Sequence, residues 1–165
     1  MKKTIVIYGS STGTCEDLAG RIAQKLGVDD VVAVADVTAD QIADYDNLIL
    51  GTSTWGFGEL QDDWYDGLDL LKGADLSGKT IALFGCGDCG SYSDSFCGAL
   101  GELYNGLAES GATFVGQVAT DGYDFADSSA VVDGSFVGLA LDEVNEADKT
   151  DERIDAWVES ISASL

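Results

Sequence analysis

Residues 4–15 read Thr4-Ile5-Val6-Ile7-Tyr8-Gly9-Ser10-Ser11-Thr12-Gly13-Thr14-Cys15, and Glu16-Asp17-Leu18-Ala19-Gly20-Arg21-Ile22-Ala23-Gln24-Lys25-Leu26-Gly27 follows. A short β-branched run enters a loop of glycines and hydroxyls. Cys15, Leu18, Ala19, Ile22, Ala23 and Leu26 then recur at helical spacing, and Gly27 ends the helix. The stretch is one strand–loop–helix unit, and the same alternation repeats along the chain. Strands are predicted over 3–8, 31–35, 47–51, 79–85, 113–118 and 136–141. Helices are predicted from Leu60, Trp64, Leu68 and Leu71, from Phe96, Leu100, Leu103 and Leu107 within 94–110, and from Ile154, Trp157, Val158 and Ile161, with Thr150 or Asp148 as cap. Residues 38–45 give at most a turn or two. Such a rhythm specifies a doubly wound α/β/α sandwich with a parallel sheet covered on both faces. Residues 119–135 have no sustained period and read as a loop inserted in the last strand position. No repeat or linker divides the chain, so residues 1–165 read as one domain.

Composition narrows the chemistry. The 165 residues carry 30 acidic and 8 basic side chains, a net charge of −22. A polyanion repels phosphate backbones and anionic lipid, so nucleic acid and membrane are poor partners and basic proteins are favoured ones. With no His, the imidazole needed for a serine triad, a common zinc site or a neutral-pH proton shuttle is missing. Lys2-Lys3 runs into an apolar stretch too short for a secretory signal, and four cysteines in a chain of this size do not suggest a disulfide scaffold; the reading is cytoplasmic. Strong net charge also favours a monomer.

In an open parallel sheet, ligands sit beyond the carboxyl ends of the strands, where a helix N-terminus offers N–H groups to an anion. The loop Gly9–Cys15 is neither a P-loop nor G-x-G-x-x-G. Its hydroxyls, Ser10, Ser11, Thr12 and Thr14, with no basic residue among them, suit a terminal phosphomonoester. Strand 47–51 leads into Thr52-Ser53-Thr54-Trp55-Gly56-Phe57-Gly58-Glu59, and strand 79–85 into Cys86-Gly87-Asp88-Cys89-Gly90-Ser91-Tyr92. Trp55 and Tyr92 at the same sheet edge as the phosphate loop would flank a flat aromatic ligand with a phosphate tail.

These motifs, with Gly58-Glu59-Leu60-Gln61, Trp64, Thr120-Asp121-Gly122-Tyr123-Asp124-Phe125, Phe136–Glu143 and Thr150-Asp151-Glu152-Arg153-Ile154, make the chain resemble a flavodoxin of the long-chain group along essentially its whole length. The resemblance implies a five-stranded parallel sheet in order 2-1-3-4-5, flavin mononucleotide (FMN) held without a covalent link, and single-electron transfer between proteins rather than enzyme catalysis. It implies phosphate contacts from Ser10, Ser11, Thr12, Gly13, Thr14 and Cys15, and ribityl and ring contacts from Thr54. Trp55 and Tyr92 would stack on the ring, whose pyrimidine edge lies against backbone at Gly87, Asp88 and Cys89, with Asp88 near N3. Thr52, Ser53, Gly56, Phe57, Gly58, Cys86 and Cys97 complete the candidate set. Cys15 stands where the family usually has Thr, Ser53 replaces a common Pro, and Cys86 and Cys97 stand where a polar residue is often found.

The resemblance further implies that the Gly56–Phe57 peptide turns over on reduction to support the semiquinone, a motion that glycine eases. A negative site makes the semiquinone–hydroquinone potential low. No Lys or Arg occurs from 26 to 71 or from 80 to 148, so the ring edge should steer basic partners such as a flavodoxin reductase and electron acceptors. Three other readings fit less well. An FMN-dependent quinone or NAD(P)H reductase lacks a general acid here. A phospho-acceptor domain needs acidic residues where Tyr8-Gly9-Ser10 stands. Cys86–Cys89 is a C-x-x-C, but it follows a strand and has no second pair to complete a metal site.

Overall fold

The computed structural model describes residues 2–55 and 58–165, with Trp55 by its backbone only. In chain order the elements are β1 (Thr4–Gly9), α1 (Thr14–Leu26), β2 (Val31–Ala33), α2 (Ala39–Asp44), β3 (Asn47–Trp55), β4 (Glu59–Leu60), α3 (Asp63–Lys72), β5 (Thr80–Cys86), α4 (Gly98–Leu107), β6 (Thr113–Val115), β7 (Val118–Ala119), β8 (Val131–Val132), β9 (Ser135–Phe136), β10 (Leu139–Leu141) and α5 (Thr150–Ser162). The main sheet runs β2-β1-β3-β5 in parallel, and β5 carries β6 along its first half and β10 along its second. Counted by position, that is the expected order 2-1-3-4-5, with the fifth strand in two pieces.

Both sheet faces are covered, which is why the strands are apolar throughout rather than alternating. Ile5, Ile7, Leu48, Leu50, Ile81 and Leu83 pack on one side with Trp64, Leu68 and Leu71 of α3 and Leu100, Leu103 and Leu107 of α4. Val6, Ile49, Ala82 and Phe84 face the other side, against Leu18 and Ile22 of α1 and Ile154, Trp157 and Ile161 of α5. Close fits need glycine: a Cβ on Gly51 would sit 2.0 Å from the Phe84 ring.

Several boundaries differ from the sequence reading, each for a local reason. Leu60 belongs to β4, which folds back antiparallel on β3 before α3 begins. Phe96 precedes α4, which opens at Gly98 behind Cys97 in a left-handed conformation (φ 51°). Thr150 is the first residue of α5 rather than its cap, and no side-chain bond caps that helix. Between the caps Thr38 and Tyr45 the expected turn or two forms as α2, opened by a capping box between Thr38 and Gln41.

The predicted strand 113–118 breaks at Gly116 (φ 85°), whose carbonyl accepts the Trp157 indole N–H at 2.9 Å. Likewise 136–141 breaks near Gly138, so that β9 pairs with β7 and β8 while β10 returns to the main sheet. The inserted segment, read as loop, is thus partly a small antiparallel sheet. Asp133 (φ 54°) and Gly134 (φ 84°) turn the β8–β9 hairpin, as an Asp-Gly pair does in a two-residue turn of the primed type. Among the described residues no helix is long and apolar enough to cross a membrane.

Candidate functional site

Gly9 ends β1, and the chain turns into α1 through Gly13 at φ 91°, a conformation open to glycine at no steric cost. Ser10 Oγ accepts the Gly13 N–H at 3.0 Å, tightening the turn. Ser11 Oγ accepts from Gln61 Nε2 at 3.0 Å. Gln61 is itself buried: its N–H donates to Thr52 Oγ1 at 3.3 Å and its Oε1 accepts the Asp63 N–H at 2.9 Å. The first loop is therefore tied to the end of β3. Thr12 is exposed and Thr14 half-buried at the N-terminus of the thirteen-residue α1, where the first N–H groups and the helix dipole favour an anion. Cys15 turns its side chain into the core beside Leu18 and Ala19, so only its backbone can serve a ligand.

At the end of β3, Thr52 is buried and its hydroxyl donates to the Ser53 carbonyl at 2.9 Å. Thr54 Oγ1 accepts the Ala99 N–H at 3.3 Å, fixing this loop against the start of α4. Gly58 (φ 93°) packs on Gly98, where a Cβ would come within 2.8 Å of Gly58 Cα. The Trp55 side chain and the Gly56–Phe57 peptide lie outside the described residues.

After β5, a Cβ on Gly87 would meet the Cys97 N at 2.8 Å, so this backbone runs directly beside the start of α4. Asp88 Oδ1 accepts the N–H groups of Gly90 (3.0 Å) and Ser91 (2.9 Å) and the Asn145 side-chain amide (2.7 Å). The Ser91 N–H, then the Asn145 amide, hold the Asp88 carboxyl below its ordinary range. Tyr92 is 50% exposed.

These loops enclose a cleft of about 280 Å³ at the carboxyl ends of the parallel strands. Its walls are Thr12 and Thr14 from the first loop, Ser53 and Thr54 from β3, Cys86, Gly87, Asp88, Tyr92, Ser95 and Cys97 from β5 and the approach to α4, and Glu143 and Val144 after β10. Nine of these are sequence-predicted. Among the other candidates, Ser10, Ser11, Thr52 and Gly58 brace the loops, Gly13 shapes the first turn, Cys15 turns into the core, and Cys89 gives its backbone N–H to Asp142. Ser95, Glu143 and Val144 were missed. The loop after β10 also lies beyond the carboxyl ends of the strands, but it carries neither the hydroxyl cluster nor the aromatic residues that mark the other three loops.

No Lys or Arg is among the lining residues. Behind the wall, Arg21 bonds Glu143 and Asp151, each at 2.6 Å, and Thr150 Oγ1 donates to the other Glu143 oxygen at 3.2 Å. The cleft thus offers neutral N–H and hydroxyl donors under a net negative potential. Burial pushes the Cys86 thiol up to about 12 and raises Cys15 and Cys97 strongly; burial, then the bond to Asp142, takes Cys89 to about 12. All four are free thiols, and such neutral thiols are poor nucleophiles for disulfide exchange.

A family model described as flavodoxin matches residues 6–157. The chain belongs to the flavodoxin family. Flavodoxin 1 of Azotobacter vinelandii is 46% identical over 96% of this chain and 94% of its own. A flavodoxin of Picosynechococcus is 45% identical over 100% and 99%. Among solved structures, the Fusobacterium nucleatum flavodoxin bound to flavin mononucleotide superposes with a TM-score of 0.93 at 34% identity, covering 100% of this chain and 99% of that one. The fold of a flavodoxin thus spans the whole chain, and the cleft lies at the strand ends where ligands of open α/β sheets bind.

Proposed function

We propose that this flavodoxin is a low-potential one-electron carrier that holds FMN without a covalent link in the cleft and shuttles it between its half-reduced and fully reduced states. Flavodoxins are electron-transfer proteins, not enzymes. The observation that carries the reading is the joining of a basic-residue-free hydroxyl loop at a helix N-terminus to a cleft with an aromatic wall. The donor set suits the cofactor. N–H groups at α1 with Thr12 and Thr14 would hold the phosphate, Ser53 and Thr54 the ribityl chain, backbone groups of Gly87–Cys89 other than the Cys89 N–H the pyrimidine edge, and Tyr92 one ring face. Trp55 is assigned the other face from the sequence alone.

When bound, the flavin supplies the one-electron chemistry; the protein sets which oxidation state is favoured. Among the described residues Asp88 on the wall has no cationic partner and Glu143 is offset by Arg21, so a cleft lined by no Lys or Arg disfavours added negative charge and keeps the second potential low. The same acidity steers basic redox proteins, a reductase and electron acceptors, to the exposed ring edge, with the carrier acting as a cytoplasmic monomer. The long-chain assignment rests on the segment between β6 and β10. Titration of the flavin-free protein with FMN, followed by quenching of flavin fluorescence, tests the reading: tight one-to-one binding supports it, and no binding at micromolar concentration overturns it.

A further inference from the structure

Behind the cleft lies a group that the binding reading does not use. Asp142, immediately after β10, is 0% exposed and is not on the cleft wall. Its Oδ2 accepts the Cys89 N–H at 3.0 Å and an Asn145 side-chain N–H at 3.0 Å. Its Oδ1 accepts the N–H groups of Val144 at 3.0 Å and Asn145 at 2.9 Å. The Asn145 amide also reaches Asp88 Oδ1 at 2.7 Å, so one exposed side chain spans carboxylates from two loops. One oxygen of Asp142 thus holds the loop after β5, and the other holds the loop after β10.

We propose that Asp142, assisted by Asn145, is a positioning residue that latches the loop 87–92 in the geometry that receives the flavin ring. The inference rests on the FMN reading above. A carboxylate is the group the place requires, because it accepts on both oxygens without donating. An amide has one acceptor oxygen, so Asp142→Asn must turn its NH2 toward N–H donors on one side or the other. A buried donor facing a donor is the costly case, and the loop released first is the one not continuous with the residue, 87–92. The loop then has to be ordered by the ligand at the expense of affinity.

The latch is read first without flavin, by amide hydrogen exchange of the flavin-free protein. In Asp142→Asn and in Asn145→Ala the amides of Cys89, Gly90 and Ser91 exchange faster while those of α1 are unchanged; uniform acceleration along the chain means a structural role only and overturns the proposal. Binding is then read with FMN and with riboflavin, which lacks the phosphate. Asp142→Asn weakens both by a similar factor, about tenfold, and Asn145→Ala weakens both by less. The exposed Asn145 keeps the test available if Asp142→Asn does not fold. Unchanged affinities in a folded variant, or loss of FMN binding alone, contradict the latch. A wild-type protein that binds neither flavin removes the FMN reading and the latch with it, whereas a wild-type protein that binds FMN beside indifferent variants removes the latch alone.

Discussion

Tyr92 stands half-exposed on the cleft wall, and its ring is the one aromatic surface among the described lining residues. A stacked aromatic pair contributes about 1 kcal/mol beyond area burial. Tyr92→Ala therefore weakens FMN binding about tenfold, the sum of that term and lost contact area, and Tyr92→Phe restores most of it; fluorescence titration measures both. An unchanged affinity in Tyr92→Ala would show that the ring is not a plate. Asp142 makes a pH prediction. Burial alone would raise its carboxyl, but bonds from the Cys89 thiol, the Cys89 N–H and Asn145 outweigh it and hold the group below its ordinary range. A depressed folded-state pKa stabilises the fold fully above the unfolded value and is lost as pH falls through the folded one. The difference in melting temperature between wild type and Asp142→Asn is hence greatest near neutrality and shrinks below about pH 4. A difference that grows with acid contradicts it.

Among the elements, α4 and the inserted segment meet at Gly101, where a Cβ would lie 2.3 Å from the Ser129 carbonyl oxygen. Two effects compete in Gly101→Ala. Helix propensity favours alanine by about 1 kcal/mol, while forcing backbone apart costs about 1–3 kcal/mol. Backbone cannot swing aside as a side-chain tip can, so the clash wins and urea denaturation shows a net loss. Stabilisation would mean that the insertion does not rest on α4. The same elements show where the sequence was legible. Strands β1, β3 and β5 and helix α1 are apolar on faces set by simple periods, and those were readable. Leu60 and Phe96 were misassigned because each continues a helical spacing backwards while its backbone is held elsewhere, Leu60 by pairing with β3 and Phe96 by Cys97 in the left-handed region. The β8–β9 hairpin is marked by Asp133-Gly134, but its flanking strands are two residues long, too short to show an alternation. In the site, hydroxyl, glycine and aromatic residues marked the three loops, whereas Glu143 and Asp142 look in sequence like any of the other acidic residues. Only the fold brings Glu143 to the cleft wall and Asp142 behind it.

Across the whole molecule, Arg21, Lys25, Lys149 and Arg153 cluster around α1 and α5 in ion pairs, and Lys3 pairs with Asp44. Among the described residues, six carboxylates have a cationic side-chain partner, out of 30 acidic residues in the chain. The remainder repel one another, and salt screens that repulsion over about 8 Å at physiological strength. The melting temperature accordingly rises as sodium chloride is added from very low concentration; a fall would show that the ion pairs matter more than the repulsion. Electron transfer from a basic reductase slows over the same range if the acidic edge steers encounter, and a flat rate contradicts steering. The central claim, a one-electron FMN carrier, is tested most directly by the absorption spectrum of the FMN-loaded protein during stepwise anaerobic reduction. The account predicts two resolved stages, a long-wavelength blue band that grows with the first electron and then bleaches at low potential with the second. Bleaching in a single two-electron stage would contradict it.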